Sequence, residues 1–271
     1  MRLPRDDSDA LAWTLFAQSN AVTTAQAVRL LSVAKVRHLL ATKRWQRICR
    51  GVLVAHDGDL TTDTANWVAV LAAGPGAVLA GIAAARAGGL RGVWRREAID
   101  VLVPGDRHGP NLRHRLPLGM PGVRVHRTAL LPSSDLQRAR PDRTSMARSV
   151  VDAAQWAGTP DEGRVIVAAA CQQRLATPRE ILAVVHRLPR AKRRRLVTQT
   201  ALDAAGGAQS LGEIDFVRLC RRHRLPIPDL QERRKDASGR IRFLDAYWHA
   251  FRAGRRAVVL REETDLRTAP D

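Results

Sequence analysis

The 271-residue chain is 45% hydrophobic, which supplies a sizeable core and excludes a disordered tail. Its formal charge of +19 favours a polyanionic partner, nucleic acid first, because neutralising phosphates releases counterions. All but Lys35, Lys43, Lys192 and Lys235 of the 45 basic residues are arginines, a surplus that a GC-biased genome also produces, so charge alone does not carry the assignment.

Cys49, Cys171 and Cys220 are odd in number and far apart, which argues against a disulfide framework and against C-x-x-C zinc spacing and fits a reducing compartment. The opening Met-Arg-Leu-Pro-Arg-Asp-Asp has no apolar run, and no window reaches the ~18 apolar residues of a membrane span. A cytoplasmic protein without a membrane partner is expected.

Residues 8–19 are predicted as a first helix with Leu11, Leu15 and Phe16 on one face, ended by Ser19-Asn20. Thr24 is predicted to cap a short helix over Ala25–Leu30, and Ser32 another over Val33–Thr42, since either hydroxyl accepts the orphan N–H groups of a first turn. Trp45–Val54, with Ile48, Val52, Leu53 and Val54 around Gly51, suits a two-stranded ribbon turning at the glycine. Helix, two capped helices and ribbon is the order of a winged helix-turn-helix, expected over residues 1–58.

In the Ser32 helix, Val36, Leu39 and Leu40 share one face, which turns Lys35, Arg37, His38 and Thr42 away from the core. Lys or Arg so placed donates to guanine O6 and N7, and Thr reaches a base edge or a phosphate. The ribbon adds Arg44, Gln46, Arg47 and Arg50 as phosphate contacts that fix register. Double-stranded DNA is the expected partner. The alternative is a small helical domain with a basic surface, and the co-occurrence of abutting capped helices, a cationic face and an arginine-bearing ribbon favours DNA.

Further along, Thr61–Ala73 and Ala77–Ala87 read as closely packed Ala-rich helices separated by Gly74-Pro75-Gly76. Ala98–Val103 and Gly122–Thr128 read as strands, joined by an Arg/His/Pro-rich loop. Helices are expected at Ser145–Trp156, Asp161–Arg174 and Arg179–His186, the last announced by Thr177-Pro178-Arg179-Glu180 with cap, N1 proline and N3 acid in register. The basic run from Arg187 to Arg195 reads as a solvated helix face in preference to a nucleic-acid contact. Residues 59–205 are thus expected to form a mixed α/β and helical middle domain.

Ser210-Leu-Gly-Glu213 opens an amphipathic helix to about Arg222, ended by Leu225-Pro-Ile-Pro228. Strands Asp229–Arg234 and Arg240–Trp248 around the turn Asp236-Ala-Ser-Gly239, then a strand Arg256–Arg261, make residues 206–271 a small α/β unit. The whole chain is expected to be α+β and mostly helical.

The runs Val22-Thr-Thr-Ala-Gln-Ala27, Ser32-Val-Ala-Lys-Val-Arg-His-Leu-Leu and Arg44-Trp45-Gln-Arg-Ile-Cys-Arg50-Gly51-Val52 resemble the winged-helix domain of actinobacterial AbiEi-family antitoxins of type IV toxin–antitoxin systems. The likeness continues through Leu71-Ala-Ala-Gly-Pro-Gly-Ala-Val-Leu79, Ile99-Asp-Val-Leu-Val103, Gly122-Val-Arg-Val-His-Arg127 and Arg143-Thr-Ser-Met-Ala-Arg-Ser-Val-Val-Asp-Ala-Ala154, over half the chain. It implies a DNA-binding regulator that represses its own operon and has a cognate toxin as partner. The sequence departs from the family pattern in lacking glycine near Leu30 and at Lys43.

The segments Gly207-Ala-Gln-Ser-Leu-Gly-Glu213, Leu225-Pro-Ile-Pro-Asp-Leu-Gln231 and Phe243-Leu-Asp245-Ala-Tyr-Trp248 are similar to a domain related to very-short-patch repair endonucleases, which implies a restriction-endonuclease-like fold. Such chemistry clusters carboxylates around Mg²⁺, a hard ion that activates water beside the scissile phosphate. By position Glu213 and Asp245 match two of those metal-binding, catalytic acids.

The third acid is replaced by Phe251-Arg-Ala-Gly-Arg-Arg-Ala-Val-Val-Leu-Arg-Glu-Glu263. An inactive, partial endonuclease-like unit without a cofactor is therefore expected, with truncation or frameshift after about Tyr247 as its explanation. Glu213 otherwise completes a capping box with Ser210, and Asp245 is a polar strand-end residue. An active Mg²⁺-dependent endonuclease, or a protein-interaction module with a basic surface, are the competing readings.

Overall fold

The computed structural model describes residues 3–93, 98–105, 121–205, 219–235 and 241–248, with the side chains of 229–235 and 241–247 left aside. Helix α1 (Ala10–Ala17) is capped by Asp9 and followed by Ser19 and Asn20 in left-handed conformation. This break delivers β1 (Ala21–Thr23), a three-residue strand that no periodicity rule detects. Helix α2 (Thr24–Leu30) is capped by Thr23, one residue earlier than expected. The reason is a capping box: Thr23 Oγ1 accepts from the Gln26 amide at 3.1 Å, and Gln26 Oε1 accepts from the Thr23 amide at 2.8 Å.

Helix α3 (Val33–Ala41) starts at Ser32 as expected, with Ser32 Oγ accepting from the Lys35 amide at 3.1 Å. The chain then leaves α3 through Lys43, at φ +53°, into the hairpin β2 (Gln46–Cys49) and β3 (Val52–Val54), which turns at Gly51 with φ +87°. These strands form an antiparallel sheet in the order β1-β3-β2. Beneath it Val22, Ala27, Val36, Leu39, Trp45 and Leu53 make a small core.

Helix α4 (Thr62–Ala73), capped by Thr61, belongs to two cores. Its Val68 joins Ala21, Ile48, Val52 and Val54 on the other face of the first sheet, while Ala65, Ala69, Val70 and Ala73 pack on a second. Thr64 Oγ1 donates to the Ser19 carbonyl at 3.0 Å and ties the helix to the first unit.

The second sheet has the order β6-β5-β4-β8-β7, built from β4 (Val78–Leu79), β5 (Ala98–Pro104), β6 (Gly122–Thr128), β7 (Leu136–Gln137) and β8 (Arg143–Thr144). The expected helix Ala77–Ala87 is corrected here: Val78 and Leu79 pair with Leu102 and Val101 as strand, and α5 (Gly81–Ala87) begins only at Gly81. Strands β5 and β6 run parallel, Asp100 opposite Arg124 and Leu102 opposite His126. Alternation therefore sends Ile99, Val101, Val103 and Val123 to the α4 side and Asp100, Leu102, Arg124 and His126 to the other.

Four further helices, α6 (Met146–Trp156), α7 (Pro160–Gln172), α8 (Pro178–Arg187) and α9 (Arg194–Ala205), join α5 in one apolar cluster that includes Val150, Val167, Ile181 and Ala201. Both capping boxes with N1 proline, Thr159/Glu162 and Thr177/Glu180, are formed.

The basic run is not one solvated face. Arg187 ends α8, and the Arg193 guanidinium donates to the carbonyls of Ala154, Gln155, Ala157 and Gly158 at the end of α6, where orphan acceptors need donors. Last, β9 (Asp229–Lys235) and β10 (Ile241–Tyr247) pair as the expected antiparallel hairpin. The turn Asp236–Gly239, most of the helix from Ser210 and the strand Arg256–Arg261 lie outside the described residues. The fold is mixed α/β, about half helical.

Candidate nucleic-acid interface

Helix α3 buries Val36 and Leu39 and turns Lys35, Arg37 and His38 to solvent. From Ala10 to His56 the sequence contains no Asp or Glu, so the surface that carries these cations is free of local acids. Among the described residues no carboxylate pairs with Lys35, Arg37, Lys43, Arg44, Arg47 or Arg50, all of them exposed. Arg44 leaves the turn after α3, Arg47 lies on the outer side of β2 while its neighbour Ile48 is buried, and Arg50 precedes the glycine at the hairpin tip.

Two of the residues singled out in the sequence have internal work. Thr42 is exposed, but its hydroxyl donates to the His38 carbonyl at 2.8 Å and finishes α3. Gln46 Nε2 donates to the Gly58 carbonyl at 2.8 Å and anchors the hairpin base. The tip is held as well, because the Thr24 amide donates to the Gly51 carbonyl at 2.8 Å.

Asp245 lies on β10, and Glu213 is outside the described residues. Among the described residues no group of three His, Cys, Asp or Glu side chains is arranged to hold a metal ion. The three cysteines are unbridged, and burial pushes the Cys171 thiol up to about 11, far from a reactive thiolate. Among the described residues no helix is long and apolar enough to cross a membrane.

A second charged constellation, on the middle sheet, was not singled out from the sequence. Asp100, buried in β5, accepts from Arg124 at 3.0 and 3.1 Å and contacts His126 Nε2 at 2.8 Å. The His126 ring stacks on Trp156, centroids 3.6 Å apart and 6° from parallel. Beside them Asp135 binds both Arg187 and Arg148, the latter at 3.0 Å, and Arg148 Nε donates to Asp152 at 2.9 Å. Arg148, Asp135 and Asp152 are all buried. A cleft of about 730 Å³ opens over this network, between the end of β6, α6 and the α8–α9 connection. One sequence signal was present: a lone carboxylate in the apolar run Ile99-Asp-Val-Leu-Val103 must find a cation if the strand is buried on both faces.

No family model matches this chain. No curated protein matches it either.

Proposed function

We propose that the chain is a DNA-binding transcriptional regulator of the antitoxin-like kind, whose first 58 residues are a winged helix-turn-helix that represses its own operon. In this reading α3 enters the major groove, Lys35 and Arg37 donate to base edges, and His38 lies beside them. Arg44, Arg47 and Arg50 grip the flanking phosphates from the hairpin, which serves as the wing. The C-terminal unit is read as a degenerate endonuclease-like remnant, and a toxin encoded beside this gene is the protein partner.

The observation that carries the reading is the cationic side of α3, solvent-exposed and without a carboxylate partner among the described residues, on a stretch devoid of acids. Buried or ion-paired cations would be structural; these are free to meet phosphate. The test is fluorescence anisotropy with labelled duplex from upstream of the gene. Lys35→Ala and Arg37→Ala are each expected to weaken binding by about 1 to 3 kcal/mol and to relax sequence preference. Arg47→Ala is expected to weaken all duplexes alike and lower the salt slope by about 1. Unchanged affinity in both α3 variants sinks the reading.

A further inference from the structure

The cleft beside the His126–Trp156 stack has the size of a small-molecule site, for which volumes of roughly 300–1,000 Å³ are usual. Its charge is unbalanced. Arg148 and Arg187 are offset by Asp135 and Asp152, but Arg190, on the α8–α9 connection, is exposed and has no carboxylate partner among the described residues.

The Arg187 side chain also lines the cleft and is 37% exposed, while one nitrogen of its guanidinium holds Asp135. An anion in the cleft meets both guanidinium groups. The remaining wall is aromatic and apolar. Trp156 is backed by Gly81, where an added Cβ would stand 3.0 Å from the indole, and His126 covers Trp156 as the half-buried end of the stack. Asp152, the one acid lining the cleft among the described residues, is pushed up to about 6 by burial, which weakens its opposition to a bound anion.

We propose that this cleft binds a nucleotide-class ligand, its phosphate held by Arg190 and Arg187 and its planar base laid against His126. Bidentate guanidinium recognition suits phosphate, and a ring completing an existing stack suits a base better than a sugar. Concave walls drawn from strand, helix and loop fit a small molecule and not a duplex, whose backbone needs an open groove-sized surface.

The test is calorimetric titration of the full chain with the four nucleoside monophosphates, ATP, adenosine and inorganic phosphate. At least one nucleotide is expected to bind saturably at one site per chain, with adenosine and inorganic phosphate each weaker by at least about tenfold. The variant Arg190→Ala, altered at an exposed position, is expected to weaken the nucleotide by at least about tenfold with an unchanged melting temperature. The variant Lys35→Ala/Arg37→Ala is expected to bind it as tightly as the parent. Overturning results are no saturable nucleotide binding, inorganic phosphate binding as well as the nucleotide, indifference to the Arg190 variant, or loss of binding in the α3 variant, which would put the anion on the DNA-facing surface.

Discussion

Burying Asp152 beside Arg148 sets two effects against each other on one carboxyl. Desolvation dominates and lifts its pKa from 3.8 to about 6, while the charge and hydrogen bond of Arg148, and a bond from Gln155, pull it down. Between those two pH values the folded chain therefore holds a proton that the unfolded chain has released. The associated stability is fully present below 3.8 and is lost as pH rises through about 6. Because one pKa unit is worth about 1.4 kcal/mol, the loss is on the order of 2 to 3 kcal/mol. Asp152→Asn lacks this titration, so urea melts at pH 4 and pH 7.5 should show the variant gaining on the parent at the higher pH. A constant difference between the two proteins would refute the assignment. Arg148 is the partner that Asp135 and Asp152 share, and Arg148→Ala leaves Asp152 buried without its cation. A cost of about 3 to 5 kcal/mol is expected in chemical denaturation. Arg148→Lys, which keeps the charge and loses the fork, is expected to recover only part of it.

Among the elements, the turn after α3 shows how a local rule is broken and tolerated. Lys43 stands at φ +53°, where an L side chain costs roughly 1 kcal/mol that glycine does not incur. Lys43→Gly is therefore expected to stabilise the protein by about 0.5 to 1 kcal/mol, less whatever backbone freedom glycine adds to the unfolded chain. A lower melting temperature would contradict this account of the turn. Elements set by short-range chemistry were legible in the sequence: Ser32 starting α3, Thr177 and Glu180 boxing α8, and Gly51 turning the hairpin each act within four residues. What was not legible depends on distant partners. Strands β1, β4 and β8 have two or three residues each, too few for alternation to register, and exist because β3, β5 and β4 respectively supply their hydrogen bonds. The Arg148–Asp152 pair has the i,i+4 spacing of any surface helix pair, and only the packing of α6 against its neighbours makes it buried. Even the Thr23 cap was misplaced by one residue, because two adjacent threonines are distinguished only by Gln26 three positions after the first.

On the scale of the molecule, α4 decides whether the first unit is an independent body. The inner face of β1 and β3 is closed not by residues before 58 but by Val68, fully buried against Ala21, Ile48, Val52 and Val54, with Trp67 and Leu71 alongside. The opposite side of the same helix closes the middle sheet through Ala65, Ala69 and Ala73 against Leu79 and Val101. One rigid helix of 12 residues thus spans both cores, and a cavity at Val68 should be felt on each side of it. Val68→Ala removes two methyl groups from a fully buried position, a loss of about 1 to 3 kcal/mol by the usual cost of core truncation. If the cores open as one cooperative unit, native-state hydrogen exchange in this variant should lower the protection of the β3 amides, Val52–Val54, and of the β5 amides, Ala98–Val103, by the same free energy. Faster exchange confined to β3 would mean that the first unit opens alone, and α4 would then be a tether and not a shared wall. The distinction bears on function, since a ligand in the middle cleft can shift DNA affinity only through an element whose state both sites sense.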